Sequence, residues 1–290
     1  MKSTQQSEFT MASGAMLLGV MGDPIIHTKS PIMHNAALKA LGIEGNYVPL
    51  HIKPEGLEKA IQAILTLGFR GVNVTIPHKV EVMKYLDHID EGAAKVGAVN
   101  TIVNNNGVLT GYNTDGIGYV RSLKEEVCPE LRGKNIVVLG AGGAARGIIH
   151  ALTAEQPGQI SIVNRTASKA IELAQEWGSL ANMQGLSEAE AQAAVNSADV
   201  LINTTSVGMH PNVGELPLPK EWIPEGIVVS DLIYNPLMTE LLHVSARKGC
   251  STHGGLGMFV NQGAYALEYW TGVDAPVAVM REAVLQSFKL

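Results

Sequence analysis

The stretch Asn135-Ile-Val-Val-Leu-Gly140-Ala-Gly142-Gly-Ala-Ala145-Arg-Gly-Ile-Ile-His150 decides the fold. It reads as a buried strand, a glycine turn and a helix. The turn has the form G-x-G-x-x-A, with Gly140, Gly142 and Ala145 at its three positions. Gly140 permits the tight turn, Gly142 lets the backbone approach a pyrophosphate, and Ala145 lets the helix sit close on its strand. The helix start then offers free N–H groups and a positive dipole end to phosphates. Such a motif alone also fits a strand–helix turn with no ligand. Here a second strand, Ile160 to Asn164, follows at the distance a dinucleotide-binding unit requires.

The end of that second strand selects the cofactor. An NAD site places Asp or Glu there to accept from the ribose 2′-hydroxyl. This chain has Asn164-Arg165-Thr166, with Lys169 one helical step on. An acid would repel a 2′-phosphate, whereas Arg with hydroxyl and amide donors binds it. The expectation is therefore NADP, with Arg146 a further member of the basic spot. The competing reading makes Arg165 and Lys169 a solvated helix start.

Working outward, strands and helices alternate from Ala15 onward, which predicts an α/β protein with parallel sheet. Ala15 to Met21 reads as the first strand. Ser30-Pro31 opens a helix, with Ser as N-cap and Pro at the first helical position. Asn46 to Ile52 reads as a strand and Pro54 to Gly68 as a helix. Gly71 to Pro77 alternates, with Val72, Val74 and Ile76 on one face and Asn73 and Thr75 on the other. Asn-Gly at 106–107 joins two apolar runs, 98–103 and 108–112, as a hairpin. Near residue 118 the texture changes: a polar helix, Ile117 to Cys128, leads into fresh strands at 135–139, 160–164, 200–204 and 227–232. From about Gly257 the chain is helical again. Residues 1–14 read as a frayed tail.

Composition excludes several classes. The chain has 290 residues, 46% hydrophobic and 17% charged, enough apolar content for a real core. Its 21 Lys plus Arg against 27 Asp plus Glu give a net charge of −6, which argues against a general nucleic-acid binder. Cys128 and Cys250 form neither a disulfide framework nor a zinc spacing, and point to a reducing, cytoplasmic setting. The apolar run from Met11 to Met21 is broken by Ser13, Gly14 and Gly19 and reads as a strand, not a signal peptide. No run has the ~18 uninterrupted apolar residues of a membrane helix.

The chemistry is sought in the other unit. None of the seven Tyr has a Lys four positions on, and no H-x-x-x-H or Walker motif occurs. No metal is expected. A proton donor for hydride transfer must then be Lys or His. Lys79 lies just beyond Pro77, at an expected helix start; Asp115 closes the hairpin in Gly111-Tyr-Asn-Thr-Asp-Gly116; Asn100 sits on the first hairpin strand. Converging at strand ends, they form an ammonium–carboxylate pair beside an amide, able to exchange a proton with an alkoxide. Spacing alone serves a structural ion pair equally well. Thr28 and Ser30 precede the first helix, where hydroxyls suit a carboxylate; a simple cap explains Ser30 as well.

With these residues in place, the chain resembles the shikimate dehydrogenase family from about Met16 to Leu290. The resemblance rests on His27-Thr-Lys-Ser-Pro31, Gly71-Val-Asn-Val-Thr-Ile-Pro-His-Lys79, Gly97-Ala-Val-Asn-Thr101 and Gly111–Gly116. It continues in Gly140–Ala144, Asn164–Thr166, and Gly255-Leu-Gly-Met258 with Gln262. It implies reversible NADPH-dependent reduction of 3-dehydroshikimate to shikimate in aromatic amino-acid biosynthesis. It makes Lys79 the acid/base with Asp115 its partner. Thr28 and Ser30 would hold the substrate carboxylate, and Thr75, Asn100 and Gln262 the ring hydroxyls, with Tyr234 near the cleft. Gly140, Gly142, Gly143 and Ala144 would hold the pyrophosphate. Asn164, Arg165, Thr166 and Lys169 would surround the 2′-phosphate, with Gly255 and Met258 near the nicotinamide.

The implied architecture is a substrate-binding domain made of residues 15–117 and 255–290, with a Rossmann NADP-binding domain, residues 118–254, inserted between. A homodimer is the expected assembly. Two positions depart from the family pattern: Thr28 where Ser is usual, and Lys169 where a second Arg is common, keeping the charge without the planar fork. The rival readings are a quinate/shikimate dehydrogenase using NAD or NADP, and a non-catalytic sensor of the same ligands. The second would have no use for the Lys79–Asp115 proton relay.

Overall fold

Strands and helices assemble into two six-stranded sheets in a computed structural model that describes residues 14–289. The expected tail, apart from Gly14, lies outside the described residues.

The first sheet has the order β2-β1-β3-β5-β6-β4. Strand β1 (Met16–Gly22) runs parallel to both β2 (Gly45–His51) and β3 (Gly71–Val74). Flanked on both sides and covered on both faces, it needs a continuous apolar run, and Leu18, Val20 and Met21 are buried. Helix α1 (Ser30–Ala40) follows β1. The helix expected over 54–68 splits into a 3-10 turn, Pro54–Gly56, and α2 (Leu57–Thr66). Pro and Gly within three residues hold that first turn short of α-helix.

Strand β3 ends at Val74, earlier than its alternation predicts, and Ile76 is 72% exposed instead of joining Val72 and Val74. The Thr75 N–H bonds the Met21 carbonyl at 2.9 Å, and the Thr75 carbonyl then accepts from the His78 N–H at 2.9 Å, turning the chain off the sheet. Pro77 has no N–H with which to continue a ladder. Lys79 consequently sits in this turn, two residues ahead of a 3-10 segment (Glu81–Tyr85), and not at a helix start. After β4 (His88–Ile89) and α3 (Glu91–Val96), strands β5 (Thr101–Asn105) and β6 (Val108–Tyr112) form the hairpin. Asn106 (φ 52°) and Gly107 (φ 94°) both take positive φ, as a two-residue I′ turn requires.

Helix α4 (Asp115–Glu126) crosses to the second sheet. There β7 (Asn135–Leu139), α5 (Gly143–Thr153), β8 (Gln159–Val163), α6 (Ala167–Trp177) and β9 (Met183–Leu186) form one half. After α7 (Ala191–Asn196), the other half is β10 (Val200–Asn203), β11 (Val228–Asp231), α8 (Glu240–Arg247) and β12 (Ser251–His253). The strands are all parallel in the order β9-β8-β7-β10-β11-β12, a Rossmann arrangement whose order reverses between β7 and β10. Strands β4, β9 and β12 were not anticipated; at two to four residues they are too short to carry a period.

The chain ends with α9 (Gly255–Thr271) and α10 (Val277–Gln286), which return to the first sheet. Leu256, Val260, Ala264, Leu267, Trp270, Met280 and Val284 share a core with Leu18, Val20, Met33, Leu38 and Tyr47. The fully buried Trp270 also donates from its indole to the Ile102 carbonyl at 2.9 Å. Truncating such a ring to Ala costs about 3–5 kcal/mol. Helix α4 packs against both α9 and α5, so it spans the expected 117/118 boundary. Among the described residues no helix is long and apolar enough to cross a membrane.

Candidate active site

Three segments distant in sequence meet at the ends of β3, β5 and β6. Lys79 comes from the turn after β3, Asn100 from the residue before β5, and Asp115 from the first turn of α4. The Lys79 Nζ donates to Asp115 Oδ2 at 2.7 Å, and Asn100 Nδ2 donates to the other carboxylate oxygen at 2.9 Å. The backbone N–H of Asp115 donates to Asn113 Oδ1 at 3.1 Å, fixing the start of α4. The pair is neither buried nor free: 30% of the Lys79 side chain and 17% of that of Asp115 are exposed. This partial exposure leaves the Lys79 side chain a face open to a ligand.

Thr28 and Ser30 form a second polar corner. The Thr28 hydroxyl accepts from the Ser30 N–H at 3.2 Å and donates to the Ser30 hydroxyl at 3.2 Å. Ser30 is not the cap of α1: Lys29 occupies that position and Ser30 is the first helical residue, with no side-chain cap bond. Thr28 takes up the Ser30 N–H, which leaves the Ser30 hydroxyl to interact elsewhere. Thr75 lies against the end of β1, its methyl beside Gly22.

Gln262 rides on α9, its amide donating to the Phe259 carbonyl at 2.8 Å. Its backbone lies directly over Gly118 of α4, three residues beyond Asp115. Tyr234, after β11, stacks on Phe259 at 4.9 Å and meets Phe288 edge-on at 6.4 Å. The Lys29 ammonium stands over Phe288 at 5.4 Å, which puts Tyr234 on the Thr28–Ser30 side of the molecule. Burial pushes the Tyr234 phenol above its ordinary pKa.

The other site is a groove of ≈ 340 Å³ at the carboxyl ends of β7, β8 and β10. Gly140, Gly142, Asn164, Arg165, Thr166 and Lys169 line it. Gly140 takes φ 108°, and a Cβ there would stand 2.5 Å from Thr204 Oγ1. At Gly142 a Cβ would meet nothing within 4 Å, so the backbone faces open space where a pyrophosphate can approach. Gly143 and Ala144 are exposed in the first turn of α5, where N–H groups lack intrahelical acceptors. Asn164 ties the two loops together, accepting from the Ala141 N–H at 3.2 Å and donating to the Thr166 carbonyl at 2.9 Å. The residues therefore fit an NADP-type dinucleotide: N–H donors for the pyrophosphate, and two exposed cations for a further phosphate.

Arg146 does not belong to that basic spot. It holds Glu176 bidentately at 2.6 and 2.8 Å, donates to the Val96 carbonyl at 3.2 Å, and lies 4.9 Å over the Trp177 ring. The helical register of α5 turns it away from the groove. Gly255 packs against the Leu232 carbonyl, and Met258 against the core beneath β7 and β10; neither lines the groove itself.

Several groove residues had no motif to announce them: Glu188, Thr205, Ser206, Val207 and Pro217. The usable signal was position, since Thr205 and Ser206 follow a parallel strand at the switch point. Asp231, fully buried, holds this wall together. It accepts from Thr239 Oγ1 at 2.7 Å, Asn203 Nδ2 at 3.1 Å and the Ile233 N–H at 3.1 Å. Burial raises its pKa above the usual carboxylate value, against the pull of those hydrogen bonds. Among the described residues no three His, Cys, Asp or Glu gather as a metal site.

Three family models match. One described as the shikimate dehydrogenase substrate binding domain covers residues 20–102. One described as shikimate / quinate 5-dehydrogenase covers 122–212, and one described as the shikimate 5'-dehydrogenase C-terminal domain covers 255–285. A shikimate dehydrogenase (NADP(+)) of Bacillus licheniformis is 46% identical over 270 residues, 93% of this chain and 96% of its own. Among solved structures, a shikimate dehydrogenase in complex with NADP+ is 42% identical with TM-score 0.88, covering 94% of this chain and 96% of its own. A shikimate 5-dehydrogenase of Listeria monocytogenes, in complex with shikimate and NAD, is 36% identical with TM-score 0.88, covering 93% and 96%. A quinate dehydrogenase of Corynebacterium glutamicum in complex with NAD is 30% identical with TM-score 0.88, covering 94% and 99%.

Proposed function

The chain belongs to the shikimate dehydrogenase family, and from that premise we propose that Lys79 and Asp115 carry the proton half of its reaction. The protein is an NADP-dependent oxidoreductase acting on a CH–OH group, interconverting 3-dehydroshikimate and shikimate. The observation that carries the assignment of chemistry is the 2.7 Å contact between Lys79 Nζ and Asp115 Oδ2, a pair that stays partly exposed.

When bound, NADPH supplies the hydride. Lys79 Nζ, held by Asp115, gives a proton to the oxygen of the carbon being reduced and takes it back in the reverse direction. Asn100 keeps the far carboxylate oxygen of Asp115 occupied, so the near one stays with Lys79. Thr28 and Ser30 bind the substrate carboxylate, while Thr75, Asn100, Gln262 and Tyr234 line the ring. Gly140 to Ala144 hold the pyrophosphate, Asn164 to Thr166 with Lys169 the 2′-phosphate, and Gly255 and Met258 border the nicotinamide. In this reading residues 15–117 and 255–290 bind substrate, and residues 118–254 bind the cofactor.

The alternative is a quinate/shikimate dehydrogenase, favoured by the likeness to the NAD-bound quinate enzyme. Against it stand Arg165 and Lys169 at the groove and no acid from Asn164 to Ile171. Steady-state rates for shikimate and quinate, each with NADP+ and NAD+, decide the matter. Fastest turnover is expected with shikimate and NADP+; faster turnover with quinate and NAD+ overturns the reading. We assign the enzyme to aromatic amino-acid biosynthesis in the cytoplasm, as a homodimer. Sedimentation at the 30.8 kDa of one chain overturns the dimer.

A further inference from the structure

The acid–base pair ends a longer chain of buried polar groups. Tyr47, Asn73, Asn100 and Thr101 are each at most 6% exposed. The Tyr47 hydroxyl donates to Asn73 Oδ1 at 2.8 Å. Asn73 Nδ2 donates to Thr101 Oγ1 at 3.0 Å and to the Asn100 carbonyl at 3.1 Å. The Thr101 hydroxyl donates to Asn100 Oδ1 at 3.0 Å, and Asn100 Nδ2 to Asp115 Oδ1 at 2.9 Å.

From the phenol onward, each side chain donates to the next toward Asp115. Both amides are fixed: reversing Asn73 would set its oxygen against the Asn100 carbonyl, and reversing Asn100 would set oxygen against the Asp115 carboxylate and NH2 against the Thr114 N–H. The Tyr47 ring is itself immobilised, stacked on His34 at 4.3 Å and tilted on Trp270 at 6.1 Å. A phenylalanine ring would fill that space equally well, so packing does not account for the hydroxyl. Burial raises its pKa well above the ordinary value and keeps it a donor throughout the working pH range.

We propose that Tyr47 is a positioning residue for the dehydrogenase reaction. Its hydroxyl acts through Asn73, Thr101 and Asn100 to hold the Asp115 carboxylate against Lys79. The proposal rests on the functional reading above.

The test is Tyr47→Phe, which removes one oxygen and keeps the ring. We expect kcat to fall about tenfold, within the roughly 100-fold that a 1 Å misplacement costs. The KM for shikimate rises and the Kd for NADP+ by calorimetry is unchanged, a split that a general loss of fold would not give. A cycle with Asn100→Ala gives the sharper readout. Acting through Asn100, Y47F should cost nothing more in the N100A background.

Losses that multiply, or a Y47F enzyme with wild-type kcat, overturn the proposal. If Y47F does not fold, Thr101→Val breaks the same chain nearer Asp115 and should show the same tenfold loss; wild-type kcat there also overturns it. A wild type that does not oxidise shikimate overturns the functional reading and this inference together. Wild-type turnover matched by Y47F overturns the inference alone.

Discussion

Lys79 Nζ and Asp115 Oδ2 stand 2.7 Å apart across 36 residues of sequence, with Asn100 on the carboxylate's other oxygen. If this pair moves the proton, Lys79→Ala should lower turnover by roughly 100- to 10,000-fold, the range for a general acid/base. Calorimetry should find NADP+ binding intact, since Lys79 is not among the residues that line the groove. Unchanged turnover would remove Lys79 from the mechanism and leave a structural ion pair.

Cofactor choice is expected to turn on Arg165. Among the described residues it and Lys169 have no ion-pair partner, and both are exposed at the groove. Hydrogen bonds to charged groups contribute about 1.5–3 kcal/mol, or about 10- to 100-fold in affinity. Arg165→Asp should therefore lower kcat/KM for NADP+ by that factor and leave NAD+ less affected. A constant NADP+/NAD+ ratio would show that the 2′-phosphate is read elsewhere.

Gly118 lies where the backbone of α4, which carries Asp115, packs closely on that of α9, which carries Gln262. A Cβ at 118 would stand 2.5 Å from the Gln262 nitrogen and 2.8 Å from its Cα. Backbone cannot yield as a side chain tip can, so Gly118→Ala must separate the helices. Overpacking of this kind costs about 1–3 kcal/mol. The expected signature is a lower melting temperature together with a raised KM for shikimate. A wild-type KM at reduced stability would place Gln262 outside the substrate site.

Acid should destabilise the protein through two buried histidines. Burial lowers the His34 pKa to about 3, and among the described residues neither ring nitrogen has a hydrogen-bond partner. Burial also lowers His253 to about 4, with Glu126 opposing the shift and Arg281 adding to it. Both bases have folded pKa values below the ordinary 6.5, so below that pH the unfolded chain binds protons the folded chain refuses. The stability these neutral histidines contribute is fully present above about pH 6.5 and falls by roughly 1.4 kcal/mol per pH unit per histidine as pH drops toward 4. His34→Leu should flatten the pH dependence of the urea midpoint between about pH 7 and 5. An unaltered slope would acquit His34.

Much of this was legible because the signals were local. Asn135 to His150 announced a dinucleotide turn through residue types that only that geometry requires, and Asn106-Gly107 announced a hairpin through positive φ. Lys79, Asp115 and Asn100 could be named, but their spacing fitted a structural ion pair equally well. Ser30 read as a cap because Ser before Pro commonly is one; the structure gives that position to Lys29, and the Ser30 hydroxyl caps nothing. Arg146 looked like part of the basic spot until the turn of α5 aimed it at Glu176.

By itself, then, the sequence determined the two strand–helix units and the glycine cradle, and singled out Lys79 and Asp115 as candidates, since backbone preference and residue chemistry act over a few positions. Only the tertiary structure decided which cations remain unpaired and how Gly118 brings Gln262 beside the Asp115 helix. It also decided that Tyr47 lies behind Asp115, linked to it through Asn73, Thr101 and Asn100. Each of these depends on side chains from different elements competing for the same few ångströms, and no spacing along the chain encodes that competition.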